Sequence, residues 1–173
     1  DRGTDPRLVA GAFAALLVLG ATAAMVVPAG TQEYEVVSAE FDSEGARVIP
    51  MGESETTIHP VGNGRVLPTV VYLEPASEGV TVQPRETYLD GGDRANATVT
   101  LQAPPETGLY RRFVAEHRYL ALLPRSVIRS LHGLHPWAPV LAIDALLGVP
   151  FYVLGVSLVG RGRVRTTTRD GTS

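Results

Sequence analysis

The reactive side chains of this 173-residue chain form no known catalytic motif, and a single acid in an apolar run, Asp144, is the most informative residue about function. It lies within the otherwise uncharged run from Trp137 to Val159. A carboxylate at membrane depth is costly, and such residues often serve a function. Its partner could be an arginine near the interface or a polar group in another span. The alternative is a cap-like residue near the outer boundary of the span, and we carry Asp144 forward as a candidate intramembrane functional residue.

Histidines and serines in the second half of the chain form another candidate group. Ser126 or Ser130 with His132 would supply a nucleophile and a base, although hydroxyls on a solvated helix face are common. Imidazole and carboxylate groups that could ligate a metal are His117, His132, His135 and Glu116. Their spacing matches no known metal site. We therefore predict no catalytic residue, no metal site and no cofactor in this chain.

Two long apolar runs bracket the polar middle of the chain. Leu8 to Val27 carries no charge, and Trp137 to Val159 is of similar length. At about 1.5 Å per residue, each run can span a hydrocarbon core of roughly 30 Å. For the first run the alternative is a secretory signal peptide, because Ala21-Thr22-Ala23 resembles a cleavage site and Arg2 and Arg7 precede the run. Its length favours an uncleaved anchor.

Composition and charge restrict the remaining possibilities. The chain has no Cys, so disulfides and thiolate metal sites are excluded, and all 15 of its basic residues are Arg. Residues 31 to 107 hold 13 Asp and Glu against 4 Arg. Such an acidic surface argues against nucleic-acid binding and is typical of proteins in concentrated salt. The composition indicates a halophilic archaeal source, or alternatively a high-GC genome.

The charges that flank the two runs predict the orientation of the chain. Arginines follow the second run with only Asp170 opposing them, which indicates a cytoplasmic tail, and they are Arg161, Arg163, Arg165 and Arg169. Both termini are then cytoplasmic and the central domain is extracytoplasmic. A second group of arginines on the external side conflicts with this orientation: Arg111, Arg112, Arg118, Arg125 and Arg129.

The middle of the chain has the short, punctuated apolar runs of an all-β protein. Seven predicted strands fit an immunoglobulin-like β-sandwich: Tyr34 to Glu40, Ala46 to Ile49, Glu55 to His59, Leu67 to Leu73, Gly79 to Gln83, Ala95 to Ala103, and Gly108 to Val114. Asn96 begins an Asn-Ala-Thr sequon and is a possible glycosylation site. Alternation places Asn96 on the face opposite the apolar residues of its strand.

The pattern changes to helical spacing between residues 117 and 135. Apolar residues recur every three or four positions, and Pro124 to His132 is the predicted helical core. The predicted helix is amphipathic, and its Arg118, Arg125 and Arg129 are possible contacts for lipid headgroups. The alternative is a connector packed under the sandwich.

Several segments together resemble the carboxy-terminal part of haloarchaeal type I signal peptidases, which are membrane serine proteases. They are VIPMGESETT, NGRVLPTVVYLEPASEGVTVQP, APPETGLYRRFVAEHRYLALLP and HPWAPVLAIDALLGVPFYVLGVSLVGRGRVR. The resemblance covers nearly the whole chain. It implies signal-peptide processing at the outer membrane face by a Ser nucleophile in a Ser-Met context with a Lys or His base. This chain has no Ser-Met and no Lys, so no catalytic residue is carried over.

The resemblance and the start at Asp1 lead us to expect a fragment or accessory module, with a signal peptidase catalytic domain or the translocation machinery as partner, beside membrane lipids. The alternative is a stand-alone surface protein whose sandwich binds a partner or scaffolds the envelope; a transporter built around Asp144 is a third. The expected organisation is a cytoplasmic linker (1–7), a first span (8–28), the sandwich (31–116), the amphipathic helix (117–135), a second span (136–160) and a cytoplasmic tail (161–173).

Overall fold

The structure is a computed structural model that describes residues 5–40 and 47–162. Three helices and eight strands make up the described chain. The helices are α1 (Pro6–Val26), α2 (Arg125–Leu134) and α3 (Ala138–Gly162). The strands are β1 (Gly30–Ala39), β2 (Val48–Pro50), β3 (Ser54–Gly62), β4 (Thr69–Pro75), β5 (Val80–Gln83), β6 (Glu86–Leu89), β7 (Arg94–Gln102) and β8 (Gly108–Leu120).

The strands form two sheets that pack face to face. The larger sheet has the order β2-β1-β8-β4-β6, and the smaller has the order β3-β7-β5. All neighbours are antiparallel except β1 and β2, which run parallel. The prediction of an immunoglobulin-like β-sandwich is confirmed.

Alternating side chains from both sheets form the core of the sandwich. Ala97, Val99 and Leu101 of β7 are buried, as their spacing of two predicts, while Asn96 and Thr98 face solvent. They pack against inward residues of the larger sheet, which include Val71 and Leu73 of β4 and Val114 of β8. Burial of each such aliphatic side chain contributes roughly 1.5–3 kcal/mol to stability.

Two features of the strands differ from the prediction. The short strand β6 was not predicted, and it pairs with the start of β4. Residues 117 to 120, expected in the amphipathic helix, instead continue β8, where Tyr119 and Leu120 pair with Val70 and Thr69 of β4. The strand is favoured over the helix at these positions because the side chains of Tyr119 and Leu120 are buried on the sheet. Only the core of the predicted helix is helical, as α2, which begins after Pro124.

Helices α1 and α3 pack against each other as an antiparallel pair. Ala10 of α1 lies beside Gly155 of α3, and Val18 lies beside Gly148. A Cβ atom built on Gly148 would come within 2.9 Å of the Val18 Cγ2 atom, so the helices approach too closely there for a larger residue. Small residues therefore set the separation of the two helices.

Two helical segments are long and apolar enough to cross a membrane, by length and composition: Pro6–Val26 and Ala138–Leu158. Only 22% and 11% of their most apolar windows are buried, which differs from the core helices of soluble proteins. Leu16 on α1 and Leu141 on α3 are among their exposed side chains. Both helices meet the sandwich at the same end, where α1 runs into β1 and β8 leads through α2 into α3.

Candidate functional site

The outer face of the larger sheet is covered at the end where the helices meet it. Strand β4 is apolar on both faces: Val71 and Leu73 point into the sandwich, whereas Val70 and Tyr72 point outward. The outward side chains pack with residues from all three helices. We call this group the junction cluster, and its buried members are Ala21, Met25, Val70, Tyr72, Tyr119, Leu120, Ile128, Val140 and Ile143.

A chain of polar groups runs along one side of the junction cluster, and His132 of α2 is at its centre. The His132 side chain is only 8% exposed. Its Nε2 atom lies 2.5 Å from Oε1 of Glu74 on β4, and its Nδ1 atom lies 2.7 Å from the hydroxyl of Tyr119 on β8. The Tyr119 hydroxyl also donates to the backbone carbonyl of Pro136, at 2.7 Å. The ring of Tyr72 stacks on the imidazole with centroids 4.3 Å apart. We call Glu74, His132, Tyr119 and the Pro136 carbonyl the junction relay.

Counting donors and acceptors shows how many protons the hydrogen bonds of the junction relay need. The Tyr119 hydroxyl has one proton, which it shares with the Pro136 carbonyl, so its oxygen must accept a hydrogen bond from the Nδ1–H group of His132. All three hydrogen bonds then form at once only when the Glu74 and His132 pair holds two protons. The relay thus ties β4, β8, α2 and the connection between α2 and α3 together through hydrogen bonds.

The phenols of this region are held in their protonated form. Burial raises the pKa of Tyr119, and the negative charge of Glu74 raises it further. Burial likewise raises the pKa of Tyr72, as does its hydrogen bond to Glu86. Burial lowers the pKa of His117, against the attraction of Glu74 at 3.9 Å. Both tyrosines therefore act as hydrogen-bond donors that hold neighbouring groups in place, and neither is suited to act as a nucleophile.

Glu86 of β6 is the second ionic centre at the junction. It accepts from Tyr72 at 2.8 Å and from Arg129 at 2.8 and 3.0 Å, and Arg125 lies 3.7 Å away. Burial opposes its ionisation, but the hydrogen bonds from Arg129 and Tyr72 and both guanidinium charges outweigh it, so the pKa of Glu86 is lowered. Arg125 and Arg129, predicted to contact lipid headgroups, thus pair with the sandwich. Contact with headgroups stays a prediction.

Arg118 lies on β8, which corrects the expectation that it belongs to the amphipathic helix. Its side chain is largely buried, and its Nη1 atom donates to the Gly62 carbonyl at 2.6 Å. Its Nε atom lies 3.3 Å from Oε2 of Glu116. Arg118 therefore connects two strands of different sheets, and its predicted contact with lipid is not tested by this placement.

Asp144 lies on α3 directly after Ile143, a member of the junction cluster. The Thr22 hydroxyl of α1 donates to its Oδ2 atom at 2.6 Å. Its Oδ1 atom is buried and has no partner among the described residues. Of the partners considered from sequence, the structure gives Asp144 a polar group of another helix, the Thr22 hydroxyl, near the end of the helix pair that meets the sandwich.

The remaining sequence candidates do not assemble into a site. Asn96 is exposed on β7, as alternation predicts, and whether it is glycosylated stays open to test. The Ser130 hydroxyl donates to the Ser126 carbonyl within α2, while His132 faces Tyr119 and Glu74. Within residues 5–40 and 47–162, no group of three or more His, Cys, Asp or Glu side chains could hold a metal ion.

Sequence reasoning missed most of the junction relay, including Glu74 and Tyr119. A usable signal was the run Thr69 to Leu73, which is buried at every position. A strand that is apolar on both faces requires a further layer outside the sheet. The run therefore indicated a covering element, although it could not identify α2 as that element.

Comparisons with known proteins leave the family of this chain unassigned. No family model and no curated protein matches it. A solved structure of SSP-19, an MSP-domain-like protein of Caenorhabditis elegans, aligns with 17% identity and a TM-score of 0.33 over 43% of this chain. The chain spans 65% of that protein, less than two thirds of its length. PapD-like domain 7 of human CEP192 aligns with 10% identity and a TM-score of 0.37, over 55% of this chain and 75% of that domain.

Likenesses this weak carry no argument about fold or function. The assignment of an immunoglobulin-like sandwich rests on the two sheets of this chain, their strand order and their shared core.

Proposed function

We propose that this chain is a membrane-anchored, non-catalytic module that holds its sandwich at a fixed orientation on the outer membrane face, where the sandwich binds a partner or scaffolds the envelope. The observation that carries this proposal is the junction cluster with its relay, which joins the sandwich to both long helices. A sandwich that only needed tethering would not require this packing.

The exposed apolar surface of α1 and α3 supports a membrane position for both helices. Side chains such as Leu8, Phe13 and Leu158 are exposed on the helix pair. A contiguous apolar surface of this kind is unfavourable in water and favourable in lipid. Because the helices are antiparallel, their outer ends both meet the sandwich and both termini lie on the opposite side. The arginines after residue 160 then favour a cytoplasmic location for the termini.

Short connections support a fixed orientation of the sandwich. Three residues, 27 to 29, join α1 to β1, and three, 135 to 137, join α2 to α3. The Pro136 carbonyl in the second connection is itself bonded to Tyr119. Such segments leave little room for the sandwich to swing relative to the helices.

Single-cysteine labelling tests the topology, and only the introduced cysteine can react because this chain contains no Cys. Leu109 is exposed at the end of β8 far from the helices, and Leu16 is exposed on α1. In intact cells, we expect a membrane-impermeant maleimide to label Leu109→Cys and to leave Leu16→Cys unlabelled. Labelling of Leu109→Cys only after lysis would contradict the proposed orientation, and equal labelling of both would contradict the membrane anchor.

The signal-peptidase resemblance leads to a narrower form of the proposal, in which the sandwich serves signal-peptide processing as an accessory module. Purification of the native protein from membranes of its source organism tests this form. A serine peptidase domain, fused or co-purifying in stoichiometric amount, supports it. A protein that purifies without any peptidase domain supports a stand-alone surface module instead.

A further inference from the structure

We infer that the β3–β4 loop, residues 63–68, is a third membrane contact of this chain and seats Val66 and Leu67 in the headgroup region of the outer leaflet. This inference rests on the proposed membrane anchoring. It assigns lipid contact to a loop of the sandwich, whereas the sequence pattern had assigned it to Arg118, Arg125 and Arg129.

The loop lies at the end of the sandwich where the helices enter. The Ala121 amide, directly after β8, donates to the Pro68 carbonyl at 2.9 Å. At the other end of the loop, Arg118 donates to the Gly62 carbonyl at 2.6 Å. Loop residues Gly64 and Arg65 line a cleft together with Ala24 and Pro28, at the outer end of α1. These contacts place the loop beside the point at which α1 leaves the membrane.

The tip of the loop is apolar and almost fully exposed. Val66 is 93% exposed, and Leu67 beside it is half-exposed. An aliphatic side chain that is this exposed contributes little to the stability of the fold, but its burial at the boundary between headgroups and acyl chains would be favourable. Arg65 precedes the pair and can reach lipid phosphates from there.

The loop is held in this protruding form by its own hydrogen bonds and by a close backbone contact. Asn63 is 3% exposed, and its amide donates to the carbonyls of Leu67, Leu89 and Asp90. Its side-chain oxygen accepts from the Arg65 amide at 3.2 Å. A Cβ atom on Gly91 would lie 2.3 Å from the Val66 carbonyl oxygen, so the loop backbone packs directly on this glycine. The loop is therefore held in one conformation in which the Val66 side chain is exposed.

Fluorescence of single-cysteine variants in lipid nanodiscs tests the inference with the full chain. An environment-sensitive fluorophore is attached to Val66→Cys, and nanodiscs of phosphatidylcholine and phosphatidylglycerol carry nitroxide lipids labelled at the headgroup or along the acyl chain. The matched control is Leu109→Cys, which is exposed at the far end of β8. A second reference is Leu16→Cys on α1.

We expect headgroup nitroxides to quench the Val66 fluorophore several-fold more strongly than the Leu109 fluorophore, with a blue-shifted emission. Equal, water-like signals from the two positions would overturn the loop contact. The Leu16 fluorophore separates this failure from failure of the anchor. If acyl-chain nitroxides quench Leu16 and Val66 remains water-like, the anchor stands and the loop contact is wrong. If Leu16 is not quenched, the anchor is wrong, and the third contact falls with it because it rests on the anchor, whether or not Val66 is quenched.

Discussion

Replacing Tyr119 with Phe removes one hydroxyl from the junction relay without changing the packing volume. Tyr119 is 1% exposed, so water does not replace the lost group. The variant leaves two partly buried atoms without their partner, the Nδ1 of His132 and the carbonyl oxygen of Pro136. A fully buried unsatisfied polar group costs about 1–3 kcal/mol; because these two atoms are only partly buried, we expect Tyr119→Phe to lower the free energy of unfolding by about 1–3 kcal/mol in total.

The only Trp of the chain, Trp137, follows Pro136 directly and reports on the junction. Urea unfolding in detergent micelles, followed by Trp137 fluorescence and by far-ultraviolet circular dichroism, gives the change at the junction and in the sheets. The matched control is Tyr110→Phe, because the Tyr110 ring lies near Arg112 and no hydrogen bond of its hydroxyl is seen within the described residues. We expect the control to remain within about 0.5 kcal/mol of the parent chain. A Tyr119→Phe variant as stable as this control would refute the relay.

Three further predictions follow from other contacts. Glu86→Gln should lower the free energy of unfolding by about 1 kcal/mol at neutral pH. Because folding lowers the pKa of Glu86 from 4.5, its stabilising contribution is present above about pH 4.5 and is lost as the pH falls below that value. Urea unfolding at acidic pH should therefore give the variant and the parent chain the same stability. Gly148→Leu should destabilise the α1 and α3 pair by about 1–3 kcal/mol in thermal unfolding, because of the 2.9 Å approach to Val18, whereas Gly20→Leu, in open space, should not. Gly91→Ala should destabilise the sandwich by a similar amount, about 1–3 kcal/mol, because its Cβ would meet the Val66 carbonyl, whereas Gly64→Ala in the neighbouring loop should be tolerated.

The periodic parts of the fold could be predicted from the sequence. Apolar runs of twenty or more residues locate α1 and α3 to within a few positions, and alternation locates the buried face of β7. The short strand β6 escaped prediction because its sequence, Glu-Thr-Tyr-Leu, does not alternate between apolar and polar residues. Residues 117 to 120 were assigned to the wrong element because their apolar spacing also fits a helix.

The candidate site could not be predicted because its members are far apart in the chain. Glu74 and His132 are 58 positions apart, and Thr22 and Asp144 are 122 positions apart. Their contacts depend on how the helices return to the sheet, which no local pattern encodes. The arginines of α2 illustrate the same point: their spacing indicated contact with lipid headgroups or a connector packed under the sandwich, and no local pattern identified Glu86 of β6 as their partner.

The central claim is that the sandwich is fixed on its helix pair, and a distance between the two tests it most directly. Spin labels at Leu109→Cys on the sandwich and Leu16→Cys on α1 lie on opposite sides of the junction, and both positions are exposed. In lipid nanodiscs, pulsed electron paramagnetic resonance should give one narrow distance distribution for the parent chain and a broader one after His132→Ala. A broad or multimodal distribution in the parent chain would contradict the account.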